Sequence, residues 1–304
     1  LNTAYGRYDL QQIAKDAECS AIFSNPANIG KIGWSGDEGE GDGVHVYDCN
    51  GRSAPVSYAD IVASGRRFAD QHRSDDEALI LCYTSGTTGL PKGIVLTHRA
   101  VDNYSCAMGL CFDWRGGKER MLVLPPLAFT GVVICCIAHM IRLGMCAYIE
   151  RGVNAERALD LLIDEKITYF SGVPAVLEPV SRLPRFAEAD LSHLATCYTG
   201  GAPIPRPLLE SFLVKGVVLR QQYACSETSG GICCPLEDEA RIRPESAGHP
   251  LACMELEIRD DGGKPLPHGE VGEICVRGPN LMREYWRNPE ATAAAMDGDW
   301  YQTG

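Results

Sequence analysis

No apolar run in the 304 residues reaches the roughly 18 needed to cross a membrane as a helix. The nearest, GVVICCIAHMIRLGMCAYI (131–149), is interrupted by His139 and Arg142 and reads as a buried helix followed by a strand. Basic blocks are also missing: 28 Lys and Arg face 40 Asp and Glu, a formal net charge of −12. That balance excludes a general nucleic-acid surface. It leaves room for a local anion site, which a few lysines and backbone amides can build within an acidic protein. The start, LNTAYGRYDL, has neither an initiator Met nor a charged-then-apolar leader, so a truncated piece of a longer chain is expected. Cysteine is abundant, at 14, but C-x-x-C spacing is absent. Adjacent pairs at Cys135-Cys136 and Cys233-Cys234, and single cysteines in runs such as LILCYT, suit small apolar positions. A zinc site or disulfide framework is disfavoured, and reduced thiols in a cytoplasmic setting are expected.

Length and a hydrophobic content of 45% allow a sizeable core in roughly one to three domains. Strand-like runs recur through residue 223: SAIF, ALILCYT, GIVLTH, RMLVL, MCAYIE, ITYF, ATCYTG and VVLRQQY. Helical patterns separate several of them, among them DLQQIAKDAE, RAVDNYSCAMGLCF and NAERALDLLIDEK. In the last, Ala155, Ala158, Leu159, Leu162 and Ile163 share one face, and Asn154 is the natural N-cap. Strands alternating with helices imply parallel βαβ units, so residues 1–235 read as an α/β core of layered parallel sheet and helices. From 236 to 304 the texture changes. MELEIRDDGGKPLPHGEVGEICVRG has short alternating strands, a DDGG turn and a Pro/Gly loop without a helix between them. That is the pattern of a small antiparallel, barrel-like β module. The Gly/Asp/Glu segment 33–43 reads as a solvated loop, because its acids repel phosphate.

YTSGTTGLPKGIVLTH (83–98) sets a glycine-rich turn and one lysine between two strand-like runs. Glycines let backbone N–H groups approach oxygen anions, hydroxyls at Thr84, Ser85, Thr87 and Thr88 add donors, and Lys92 adds a compact positive charge. A Walker A loop needs Gly-Lys followed by Ser or Thr and then a helix. Here Pro91 precedes Lys92, Gly93 follows it, and the strand-like IVLTH comes next, so that reading fails.

The whole string instead closely resembles the signature of the adenylate-forming enzymes: acyl-CoA synthetases, luciferases and peptide-synthetase adenylation domains. Four further segments carry the resemblance in the family's order. They are YTGGAPIP (198–205), QQYACSETSGG (221–231), GEICVRGPNLMREYWRNPEAT (272–292) and WYQTG (300–304). The resemblance implies that Thr84, Ser85, Gly86, Thr87, Thr88, Gly89 and Lys92 cradle the departing β- and γ-phosphates of ATP, with Lys92 also counted as catalytic. Gly200, Gly201, Ala202 and Pro203 would line the adenine and acyl pocket. Gln222 is placed with the nucleotide-binding residues, and Tyr223 would stack on adenine. Ser226 would aim its hydroxyl at the α-phosphate, and Glu227 would associate with Mg²⁺. Phe129, in PLAFTGVV, aligns with the residue that gates the acyl pocket. Thr130 stands where amino-acid-activating members carry an Asp for the substrate ammonium, so an acid without an α-amine is favoured. Ala224 replaces the usual glycine, and its methyl would narrow that pocket. His98 reads as a helix-start residue, and Cys225 occupies a variable position of its motif.

The implied activity is an ATP-dependent carboxylic acid:CoA ligase working through an acyl-adenylate, with ATP, CoA and a fatty or related hydrophobic acid as substrates. The alternative is an adenylation domain that loads a carrier protein. A P-loop NTPase and a non-catalytic nucleotide-binding module rank below both. Nothing suggests nucleic-acid partners. The resemblance also implies that the chain stops before the small C-terminal domain with its catalytic lysine, a domain that rotates between the two half-reactions. The 304-residue chain alone is therefore expected to be inactive or nearly so. Full-rate acyl-AMP formation by the purified chain contradicts that expectation.

Overall fold

A computed structural model describes residues 5–33, 44–49, 56–66, 73–84, 91–124 and 129–304, without the side chains of residues 56 and 130. Residues 34–43 of the acidic loop lie outside the described residues. The chain divides into two compact units, residues 1–74 with 83–93, and residues 75–82 with 94–304.

In the smaller unit, strands β1 (Ala21–Ser24), β2 (His45–Asp48) and β3 (Val56–Ser57) form a parallel sheet in that order. Helix α1 (Arg7–Asp16) buries Leu10, Ile13 and Ala14 on one stripe. Helix α2 (Pro26–Ile32) is capped by the Asn25 side chain, and α3 (Tyr58–Ala63) by Ser57 in a capping box with Asp60.

Strands β4 (Ala78–Thr84) and β5 (Lys92–Thr97) follow the expected ALILCYT and GIVLTH runs. The unit boundary falls within both. Helix α4 (His98–Phe112) begins at His98, with Thr97 accepting the Ala100 N–H as its N-cap. The strands β6 (Arg120–Val123), β7 (Cys146–Ile149), β8 (Tyr169–Ser171), β9 (Thr196–Gly200) and β10 (Arg220–Cys225) pair in parallel. With antiparallel β11 (Gly230–Cys234) and β12 (His249–Pro250) they form one sheet, ordered β12-β11-β10-β9-β8-β6-β7.

Residue alternation along these strands feeds two cores, as a sheet covered on both faces requires. Met121, Val123, Tyr169 and Tyr198 enter one cluster with α4 and the helical segment 130–143. Leu122, Leu124, Phe170 and Cys197 enter the other, with α7 (Ala155–Asp164), α8 (Pro174–Ser181) and α9 (Arg206–Leu213). Segment 130–143 runs as α5 (Thr130–Val132), a π-helical turn (Val133–Ala138) and α6 (His139–Leu143). Strand β7 follows it, as the 131–149 run suggested.

C-terminal to these elements, β13 (Glu255–Arg259) and β14 (Glu273–Arg277) form the hairpin expected around DDGG. They join β16 (Met296–Asp297) and β17 (Trp300–Gln302) in a four-stranded antiparallel sheet ordered β13-β14-β17-β16. Strand β15 (Glu284–Tyr285) pairs instead with β5. None of the fourteen cysteines is joined in a disulfide. Among the described residues, no helix is long and apolar enough to cross a membrane.

Helix α7 shows what one stripe is worth. Asn154 caps it through Arg157 N–H, and Leu159 is fully buried. Leu159→Ala is expected to cost about 2–5 kcal/mol and Asn154→Ala about 1 kcal/mol, read as shifts of the urea-unfolding midpoint.

Candidate active site

Three parallel strands of the larger unit end side by side, and a cavity of about 520 Å³ opens at their carboxyl ends. Residues 171–173 after β8, 199–201 at the end of β9 and 224–226 at the end of β10 form one side, and residues from Phe129 to Cys136 another. This is where open α/β sheets bind ligands. Among the described residues that line it, none is charged. Phe129 stands at the wall half exposed, at 53%.

Two glycines are dictated by close approach. A Cβ on Gly200 would lie 3.0 Å from the Gln222 carbonyl oxygen of β10. Gly230, which also lines the cavity, has φ +119°, and a Cβ there would stand 2.7 Å from the ring of Tyr104.

Beneath the cavity, buried phenols organise the floor. The Tyr198 and Tyr169 hydroxyls lie 2.6 Å apart, and Tyr169 donates at 2.5 Å to the Cys135 carbonyl inside the π turn. Tyr104 meets the Cys135 thiol at 3.2 Å and the Gln222 amide at 3.2 Å. Gln222 thus lines the cavity while its amide is engaged by Tyr104 and, at 3.1 Å, by Met108 Sδ. Burial pushes all three phenols well above the usual range, and pushes the thiols of Cys135 to about 11 and Cys136 to about 12. The floor is therefore neutral at physiological pH.

Ser226 lines the cavity at the start of a 3₁₀ turn, Ser226–Thr228. Glu227 is clamped from residues 282–285: its Oε1 accepts the Tyr285 hydroxyl at 2.9 Å, and its carbonyl accepts the Met282 N–H at 2.6 Å. Burial, then the Glu227 charge, push Tyr285 up to about 12, so it remains the donor. Asn280 Nδ2 bonds the carbonyls of Thr228 and Gly231, at 3.2 and 3.3 Å. Tyr285 and Asn280 were given no role by sequence reasoning, although both sit in the quoted GPNLMREYW segment. Cys225 is pushed by burial to about 12, in keeping with its not being a nucleophile.

The remaining candidates are more scattered. Tyr223 is half-buried and donates its hydroxyl to Thr303 Oγ1 at 3.2 Å, joining the YACSE and WYQTG segments. Gly201 (φ +78°) and Ala224 line the cavity, whereas Ala202 and Pro203 follow as exposed residues outside its lining. Thr84 closes β4 and Lys92 opens β5, both half-buried and both in the smaller unit. Ser85, Gly86, Thr87, Thr88 and Gly89 lie outside the described residues, as does the side chain of Thr130, which opens α5. No cluster of three or more His, Cys, Asp or Glu side chains that could hold a metal occurs among the described residues.

One buried group near the floor titrates oppositely to the phenols. His139 Nδ1 lies 2.7 Å from Ser105 Oγ, between the rings of Trp114 and Tyr104, and its Nε2 has no partner among the described residues. Burial, then Arg142, lower it from 6.5 to about 3. The unfolded chain therefore takes up this proton first as pH falls. The resulting stability is full above about 6.5 and declines toward 3, at up to about 1.4 kcal/mol per pH unit. His139→Asn is expected to flatten that decline, measured by denaturation across pH 3 to 7.

The family model for AMP-binding enzymes matches residues 1–286. Long-chain-fatty-acid–CoA ligase FadD13 of Mycobacterium tuberculosis is 33% identical over 232 residues, 75% of this chain and 45% of that protein. Feruloyl-CoA synthase of a Streptomyces species is 34% identical over 75% of this chain and 46% of its own length. The chain thus spans about half the length of these relatives. Among solved structures, ATP-bound MatB from Rhodopseudomonas palustris superposes with a TM-score of 0.87 at 26% identity, covering 100% of this chain and 59% of that one. With the parallel sheet, the glycine-lined cavity and the clamped Ser-Glu turn in place, the chain belongs to the AMP-binding enzyme family.

Proposed function

We propose that this chain binds ATP and a carboxylic acid within an ATP-dependent carboxylic acid:CoA ligase that works through an acyl-adenylate. The observation that carries the reading is the cavity, apolar for most of its lining and, among the described residues, without a charged side chain. An α-amino acid would bury an unpaired ammonium there, at a cost of several kcal/mol. A hydrophobic acid loses little, in keeping with relatives named for long-chain fatty and ferulic acids.

In the first half-reaction a carboxylate oxygen attacks the α-phosphorus of ATP and pyrophosphate leaves. In the second, a thiol sulfur attacks the acyl carbonyl and AMP leaves. Both steps depend on positioning and on stabilising charge. Residues 84–93, with Lys92, hold the departing phosphates, Ser226 addresses the α-phosphate, and Tyr223 packs on adenine. Phe129, Gly201 and Ala224 bound the acyl group. Glu227, whose Oε1 accepts the Tyr285 hydroxyl, would hold Mg²⁺, since one carboxylate beside phosphate oxygens is this ion's usual company. When bound, the ion supplies neutralising charge to the phosphates.

The test is made on the protein expressed from its complete reading frame. Pyrophosphate and AMP are expected only when a hydrophobic acid is present, and Lys92→Ala is expected to lower the rate by about ten- to hundredfold. Acid-independent orthophosphate release overturns the reading in favour of a hydrolase. Transfer to a carrier-protein phosphopantetheine in place of CoA overturns the assigned acceptor.

A further inference from the structure

Segment 280–285 meets the Ser226–Thr228 turn through two kinds of contact. The first kind anchors the turn's backbone: the Met282 N–H donates to the Glu227 carbonyl at 2.6 Å, and Asn280 Nδ2 donates to the Thr228 and Gly231 carbonyls. The segment is itself tied to β5, where Tyr285 stands opposite Ile94 and the Arg283 N–H donates to the Val95 carbonyl at 2.9 Å. The second kind is a single phenol on a side chain, the Tyr285 hydroxyl 2.9 Å from Glu227 Oε1. Tyr285 is buried and belongs to the core cluster that includes Ile94, Val276 and Tyr301. Its hydroxyl therefore rests on a fixed platform.

Resting on the adenylating activity proposed above, we infer that Tyr285 is a positioning residue for the first half-reaction alone: its hydroxyl presets the Glu227 carboxylate for Mg²⁺. Tyr285 acts through Glu227 and is not assigned a contact with either substrate. An unheld glutamate spreads over several rotamers, and a cation that binds it must select one at an entropic cost. A hydrogen bond to one carboxylate oxygen removes much of that freedom before the cation arrives. Outer contacts of this kind typically contribute about ten- to hundredfold to metal affinity or activity.

The two kinds of contact can be separated. Tyr285→Phe removes one oxygen and keeps the buried ring, while the Met282 and Asn280 hydrogen bonds and the pairing with β5 remain. The turn stays in place and only the carboxylate is released. The half-reactions separate on the same ground. The cation neutralises the departing phosphates, and pyrophosphate has left before the thiol attacks the acyl carbonyl. Thiol transfer is therefore insensitive to how Glu227 is held.

The test uses protein expressed from its complete reading frame, in excess over ATP and without acid, so that no ATP is consumed. Mn²⁺ stands in for Mg²⁺, and its binding is read by electron paramagnetic resonance. Tyr285→Phe is expected to weaken Mn²⁺ binding to the ATP complex by about ten- to hundredfold. ATP affinity in EDTA stays at the wild-type value, which shows that the variant is folded. The Mg²⁺ requirement of acid-dependent pyrophosphate release rises by the same factor, while thioester formation from supplied acyl-adenylate and CoA does not change. In a Glu227→Gln background, Tyr285→Phe adds nothing, as a shared path requires. Unchanged Mn²⁺ binding in Tyr285→Phe overturns the proposal, as does an equal loss in EDTA or in thiol transfer, which marks a merely structural role. A wild type that releases no acid-dependent pyrophosphate overturns the adenylating function and this proposal with it, and is told apart because the parent fails before any variant is compared.

Discussion

A phenol buried without water must find a hydrogen-bond partner, and three of them lie under the cavity of the larger unit. Tyr104, Tyr169 and Tyr198 come from α4, β8 and β9, so satisfying them fixes the mutual placement of a helix and two strands. The acceptor comes from a third direction. Carbonyl 135 stands within a π-helical turn, where the regular i→i−4 ladder is interrupted, and it takes the Tyr169 hydroxyl. The π turn is thus the local irregularity through which segment 130–143 is locked to the sheet.

The constraint propagates upward to the cavity. Tyr104 leaves room for no side chain at Gly230, and β10 leaves little at Gly200, so the strand ends stay bare where a ligand would approach. The Ser226–Thr228 turn sits between these strands and is held from the far side by Tyr285, Asn280 and the Met282 amide. Glu227 gains its fixed orientation from a segment more than fifty residues downstream. In the role proposed for it, Glu227 benefits from this, because its orientation is held by Tyr285 and the Met282 amide.

Legibility in the sequence followed the range of the interactions. Strand runs such as ALILCYT and RMLVL, the stripe on α7 and the Asn154 cap are local or periodic features, and they appear almost where the residues suggested. Of the GGAP and YACSE segments, Gly200, Gly201, Ala224, Cys225 and Ser226 line the cavity because they stand at the ends of parallel strands, whereas Ala202 and Pro203 lie outside its lining. Tyr285, Asn280 and the phenol network were not legible, because their meaning lies in contacts with residues such as Glu227 and Cys135 that spacing cannot reveal.

Neutrality of the cavity is a property of the network and not merely of its composition. Tyrosines and cysteines on the floor could carry negative charge, and His139 could carry positive charge, yet burial shifts each toward its uncharged form. Selection against a charged substrate group then needs no dedicated repelling residue. Under the proposed function, a ligand ammonium or second carboxylate would meet no counter-ion among the described lining residues, and its desolvation would remain uncompensated. Under the same proposed function, discrimination among apolar acids falls to side chains that set the available space, Phe129 at the wall and Ala224 at the end of β10.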